Sequence, residues 1–273
     1  MTDKISLAGD LGSGKTTVSE ILINKLGAEK YSTGTIVRTL AEKYKMSVKD
    51  FNVYMETHPE IDREIDDGLV KLSSDERFLI IDSRMAWHFT KGTFKLYLST
   101  DPEISALRIM GANRVGEHAT TLDATVNETK ARRESEKKRY MLQYGVDIMD
   151  LSNYSVVVDT TYADPNEVAE CIMNAFRTWQ RDKSYTALFV TPERLYYPDT
   201  VTDGVEVAKR CASLELGEKI PEVTVFEEDG NFYLQSGHES ALAYALNMNV
   251  FIPARLVNSK SADTEYVKMS NSL

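Results

Sequence analysis

The chain has 273 residues, 42% hydrophobic and 27% charged, with a formal net charge of −10. This is globular composition, and the length suits one large domain or two ordinary ones. The acidic balance, the two cysteines, the absence of a signal-peptide core at the start and the lack of any apolar run near the ~20 residues that span a bilayer point away from DNA, a disulfide framework and a membrane, and towards the cytoplasm.

In chain order, strand signals fall at 4–9, 28–32, 77–82, 94–100 and 155–160. The last three are nearly continuous apolar runs, as expected of strands buried on both faces. Helical stripes lie between them, such as Val18, Ile21, Leu22 and Leu26, or Val168, Ile172, Phe176 and Trp179. Asp101-Pro102 and Asp164-Pro165 each place an N-cap acid before a first-turn proline. Such alternation predicts an α/β fold with a parallel sheet and helices on both faces.

After Lys183 the pattern changes. A strand at 186–190 and a helix near 203–214 precede a hairpin, "EVTVF" and "NFYLQ" around "EEDG"; a helix from His238 to Leu246 and a strand in "FIPARLV" follow. The expected organisation is a first domain over 1–183, a small α+β domain over 184–260 and a polar tail over 261–273.

"GDLGSGKTT", Gly9 to Thr17, sits between a strand and a helix and matches the P-loop pattern. Its glycines let the backbone curl so that N–H groups point at phosphate oxygens, and the helix N-terminus adds positive potential. The expected cradle for ATP phosphates is Gly9, Leu11, Gly12, Ser13, Gly14, Lys15, Thr16 and Thr17, with the Lys15 ammonium on the β- and γ-phosphates. The Thr16 hydroxyl and Asp82, at the end of "FLIID", are the expected Mg²⁺ ligands, and Arg84 would face the same crevice.

Further segments extend the pattern: "YSTGTIVRTLAEKYKMSVKDFNVYMETHPEIDREID", "LIIDSRMAW" and "ETKARRESEKKRYMLQYGVDIMDLSNY". With the P-loop, in this order over about residues 4–175, the chain resembles the cytidylate kinases, particularly their short archaeal-type branch. The resemblance implies the nucleoside-monophosphate-kinase fold, with a five-stranded parallel sheet in order 2-3-1-4-5. It also implies ATP- and Mg²⁺-dependent phosphorylation of CMP or dCMP. Ser32, Thr33, Arg38 and Arg84 would hold the acceptor phosphate. Asp62 or Arg63 would read a cytosine edge, unless both lie on a solvated helix face. Arg132 and Arg139, seven apart and so on one helical face, match the lid arginines that close over the phosphates; with Lys15 and Arg84 they form the expected catalytic set. Arg108 and Arg114 flank the helix before the lid, with Arg108 towards ATP and Arg114 towards the phosphates.

Four positions depart from the family pattern. Arg133 stands where an acid is usual, Ser83 where a glycine is usual, Met85 in place of an acidic residue that helps bind cytidine in the bacterial branch, and Gly68 inside a helix, at about 1 kcal/mol relative to alanine. An alternative acceptor for the same P-loop core, or a nucleotide-binding regulatory protein with little turnover, are the other readings.

The part after Lys183 resembles the ParB/sulfiredoxin-like fold, whose phosphate-binding segment corresponds to "SGHES", Ser236 to Ser240. Serines replace its acid and arginine, which implies an accessory or regulatory unit, and deleting 184–273 is expected to leave basal kinase activity. No oligomeric state is read from the sequence.

Overall fold

A computed structural model describes residues 3–111, 121–198, 202–257 and 266–268. Arg114 lies outside the described residues. β1 (Lys4–Gly9) leads through the loop 10–14 into α1 (Lys15–Leu26). β2 (Glu29–Ser32) precedes α2 (Thr33–Lys43), α3 (Val48–Glu56) and α4 (Pro59–Lys71). β3 (Leu79–Asp82), α5 (Ala86–Phe89), β4 (Thr93–Ser99), α6 (Pro102–Gly111), the long α7 (Leu122–Tyr144), β5 (Val156–Asp159) and α8 (Pro165–Arg181) follow. The remainder is β6 (Ala187–Val190), β7 (Leu195–Pro198), α9 (Gly204–Glu215), β8 (Val223–Glu228), β9 (Asn231–Ser236), α10 (His238–Leu246), β10 (Ile252–Leu256) and β11 (Tyr266–Lys268).

The first five strands hydrogen-bond in the order β2-β3-β1-β4-β5, all parallel, as expected. Every residue of β1 and β5 is buried, which is what a parallel sheet covered on both faces requires. One face carries the core of α1 and α8, where Val18, Leu22, Ile172 and Phe176 pack on Ile5, Phe94 and Val156. A separate cluster under α2, α3 and α4 centres on Phe51 and Ile65. The helix ends follow local chemistry. Gly27 and Gly145 close α1 and α7 in the left-handed region, and Asp164 with Glu167 forms a reciprocal capping box on α8. Gly68 has a local reason: a methyl there would stand 3.1 Å from the Tyr31 hydroxyl, tighter than ordinary contact.

The sheet does not stop at residue 183. β6 pairs in parallel with β5, Val156 opposite Ala187, and the sheet runs on as β6-β10-β8-β9-β7-β11 with mixed directions, eleven strands among the described residues. α8 is therefore one more crossover of the kind that built the first five strands. The polar tail takes part as well, since Tyr266–Lys268 pairs antiparallel with β7. Arg194, just after β6, is 2% exposed. Its guanidinium reaches Asn231 Oδ1 at 2.9 Å, the Gly230 carbonyl, Asp101 at 3.4 Å and Asp159 at 3.9 Å. Asp101 caps α6 and Asp159 ends β5, so this one side chain rivets the later strands to the earlier ones.

Candidate active site

The P-loop is held open by two glycines that nothing larger can replace. Gly9 (φ 149°) packs against the Leu98 carbonyl, where a Cβ would clash, and at Gly12 (φ 72°) a Cβ would come within 2.7 Å of the Ser105 carbonyl oxygen. Lys15 Nζ donates to the carbonyls of Gly9 at 2.8 Å and Asp10 at 2.5 Å. Arg84 also donates to the Gly9 carbonyl, so a cation from the start of α1 and one from just after β3 meet at one oxygen. Burial, reinforced by Arg84, lowers the Lys15 ammonium to about 7. An anion in the loop would reverse that shift by favouring the charged form. Ser13 is buried, and its hydroxyl donates to the Asp10 carbonyl. Thr16 and Thr17 are exposed at the start of α1. Asp82, half-buried at the end of β3, acts electrostatically on Lys15 and is in register with Ser32. The Thr33 hydroxyl leans on the Asp82 carbonyl at 3.5 Å. These residues form a set of N–H, ammonium, guanidinium, hydroxyl and carboxylate groups at the C-terminal ends of the strands, where open parallel sheets bind ligands. The donor chemistry fits a magnesium polyphosphate: cations and N–H groups for phosphate, with Thr16 and Asp82 for the metal.

α7 closes over this loop. Arg84 Nε lies 3.0 Å from Glu136, which also holds Arg132 at 3.4 Å. Glu136 is half-buried, which by itself would raise its carboxyl, yet Arg84 and Arg132 hold it below the usual range. Arg133 reaches Asp10 Oδ1 at 3.0 Å. Asp10 is 6% exposed and further accepts from the Tyr97 hydroxyl at 2.6 Å and the Thr100 N–H at 2.9 Å. The cavity between loop and helix, lined by Leu11, Arg84 and Arg133, holds only about 20 Å³. Asp10 and Glu136 carry no phosphate-motif signature and escape sequence reasoning. The visible signal was an acid within a phosphate loop and an unexplained extra arginine at 133, two irregularities that pair with each other.

At the far end of α7, Arg139 faces Asp62 of α4 at 3.8 Å. The Arg139 Nε and Asp62 Oδ2 atoms are buried without a hydrogen bond. Arg63 is exposed, so of the two candidate base readers only Asp62 faces this cluster. Arg38 is exposed on α2 and donates to the Thr35 hydroxyl at 3.2 Å. Ser83 is buried, and its hydroxyl accepts from the Met85 N–H at 3.2 Å. Trp87 packs on Tyr154 in the core.

Asp66, beside Asp62, accepts from the Tyr144 hydroxyl. Burial raises the Asp66 carboxyl to about 6, against the opposing pull of the Tyr144 bond. A carboxyl whose folded pKa exceeds its unfolded value of about 3.9 binds its proton first in the folded state. Stability therefore falls as pH rises through that window and is level above it. Asp66→Asn is expected to remove this term. The difference in melting temperature, variant minus wild type, should grow between about pH 4 and about pH 6 and then stay constant; thermal melts across that range check it.

A second cavity, about 400 Å³, lies on the other side of the P-loop and is lined by Gly14, Thr17, Arg108, Thr160, Ala163 and Val168 among others. Arg108 is tied here by its guanidinium, which donates to the carbonyls of Thr160 at 2.7 Å and Thr161 at 3.0 Å and to Gly12 at 3.4 Å. Among the described residues no group of three or more His, Cys, Asp or Glu side chains could hold a metal, and no helix is long and apolar enough to cross a membrane.

A family model described as an AAA domain matches residues 5–141. The cytidylate kinase of Thermoplasma volcanium is 37% identical over 187 residues, covering 67% of this chain and 96% of that protein. The cytidylate kinase of Archaeoglobus fulgidus is 36% identical over 173 residues, covering 63% of this chain and 93% of that protein. A solved structure of sulfiredoxin from Arabidopsis thaliana aligns at 18% identity with a TM-score of 0.25, covering 27% of this chain and 86% of that chain, a likeness too low to argue from. Matched over nearly the whole length of such relatives, and built around a P-loop on the parallel sheet they imply, the chain belongs to the cytidylate kinase family.

Proposed function

We propose that the protein transfers the γ-phosphoryl group of ATP to CMP or dCMP, releasing ADP and the cytidine diphosphate. The observation that carries this reading is the meeting of Lys15 and Arg84 at the Gly9 carbonyl, under a lid helix whose arginines serve both ends of the cleft. The 400 Å³ cavity beside Gly14 and Arg108 takes the nucleoside end of ATP, which puts its phosphates into the loop 10–14. The P-loop N–H groups and Lys15 then hold the β- and γ-phosphates, while Thr16 and Asp82 hold Mg²⁺. Bound there, Mg²⁺ would supply neutralisation of phosphate charge. On the acceptor side, Ser32, Thr33 and Arg38 bind the CMP phosphate and Asp62 reads the base.

No covalent nucleophile is needed, because the attacking oxygen belongs to the CMP phosphate. The protein's part is alignment and charge. Arg84 and Arg132 share Glu136, so that carboxylate holds both guanidiniums at the mouth of the loop until phosphate competes for them. Asp62 suits cytosine, since a carboxylate accepts from the exocyclic amine that uracil lacks. The test is incubation with ATP, Mg²⁺ and a panel of nucleoside monophosphates, measuring ADP and the new diphosphate. CMP or dCMP should be converted well ahead of UMP, AMP and GMP. Absence of any cytidine diphosphate would refute the reading.

A further inference from the structure

The wall of the nucleoside cavity is braced from outside the kinase strands. Thr160, buried just after β5, lines that cavity, and Thr161, the next residue and also buried, stands behind it. Arg108 grips their carbonyls from the cavity side, and the Thr160 hydroxyl lies 3.1 Å from the Ser13 carbonyl, tying wall to P-loop. Thr161 in turn is fixed by Asp159, which is wholly buried. Its Oδ1 accepts from the Thr161 N–H at 3.2 Å and hydroxyl at 2.5 Å. Its Oδ2 accepts from the Thr191 N–H at 3.1 Å and from the Thr191 hydroxyl. Arg194 Nε stands 3.9 Å from the same carboxylate. Thr191 and Arg194 belong to the turn after β6, beyond the residues 5–141 that the family model matches.

We propose that Thr191 and Arg194 are positioning residues for the donor nucleotide. Acting through Asp159 and Thr161, they set the position of Thr160 in the cavity wall and so the grip on the nucleoside end of ATP, and they leave the acceptor end alone. This rests on the reading above that the cavity beside Arg108 receives ATP. The physical argument is directional. One oxygen of Asp159 serves the wall and the other serves Thr191, so the carboxylate transmits any shift of the later turn to the wall. The acceptor residues Ser32, Arg38 and Asp62 lie on β2, α2 and α4, across β1 from this brace. Buried, fully bonded polar groups hold one geometry, whereas a partly bonded carboxylate admits several.

The test uses the full chain with Thr191→Val, which keeps the shape and removes the hydroxyl, and Thr191→Ser, which restores it. ADP affinity is measured by equilibrium titration, and KM for ATP, KM for CMP and kcat by steady-state assay. Thr191→Val is expected to weaken ADP binding and raise KM for ATP by up to about tenfold, the limit reached if the displaced wall loses the worth of one hydrogen bond to the bound nucleotide, with KM for CMP unchanged. Thr191→Ser should return both to wild-type values. A merely structural role would lower the folded fraction, and with it kcat, without separating the two KM values. If Thr191→Val does not fold, Arg194→Lys carries the same split in the two KM values. Unchanged ADP affinity, equal shifts in both KM values or failure of the serine to restore would overturn the proposal. A wild type that binds ADP but makes no cytidine diphosphate would refute the proposed reaction alone, since the ADP titration still decides this one.

Discussion

Arg194→Ala in the full chain is expected to lower the unfolding free energy by about 3–5 kcal/mol, the usual result of removing one partner from a buried ion pair. Asp101 and Asp159 would remain buried with less counter-charge, Asn231 and the Gly230 carbonyl would lose their donor, and the guanidinium's packing on Phe232 would leave a void. Burial already raises the Asp159 carboxyl, and Arg194 is the leading force opposing that. Urea denaturation followed by circular dichroism measures the loss; a change below about 1 kcal/mol, within the range of surface pairs, would show that the rivet is decorative. The same features reverse the expectation that 184–273 can be removed without harm. A chain ending at residue 183 would expose the edge of β5, strip Asp159 of the Thr191 N–H and hydroxyl, and leave an apolar strand open to pairing with other copies. Such a chain should aggregate, which size-exclusion chromatography would report, whereas a soluble monomer with wild-type kcat would contradict this.

Lys15→Ala is expected to lower kcat/KM by roughly 10²–10³-fold, the scale seen when one preorganised charge-stabilising donor is removed from a site. The melting temperature should not fall with it. Lys15 is a desolvated cation whose ammonium donates to the backbone carbonyls of Gly9 and Asp10, and burial with the repulsion of Arg84 outweighs the attraction of Asp82, Asp10 and Glu136, so its pKa is lowered. Its removal therefore costs the reaction and not the fold. Activity assays and thermal melts on one preparation separate the two, and a loss of both together would mean that Lys15 is a structural group.

Much of the first part was legible because its signals are local. "VVVD" and "FKLYLS" are apolar runs of the kind expected of doubly covered strands, and Gly9, Gly14, Lys15 and Thr16 have the spacing and flanks of a P-loop. The five-strand order came from the family resemblance and holds. What was not legible depends on partners distant in the chain. "ALFV" reads as a strand whether it opens a new sheet or extends an old one, and only its pairing with Val156–Val158 decides. Arg194 sits in "PER", a turn by any local rule, yet it is among the largest fully buried side chains. Arg133 stood out alone as a departure and Asp10 did not, and the meaning of both lies in the 3.0 Å between them. "YVK" is too short to announce a strand inside a polar tail.

The continuous sheet also bears on how the chain is made. During synthesis the P-loop, the lid helix and β5 leave the ribosome before β6, Thr191 and Arg194 exist. At about 5–20 residues per second, the nascent kinase strands spend seconds with β5 as a raw edge and Asp159 without half of its donors. The cavity beside Arg108 thus cannot acquire its final wall until the turn after β6 has emerged, so the enzyme matures from its C-terminal side although its recognisable motifs are born first.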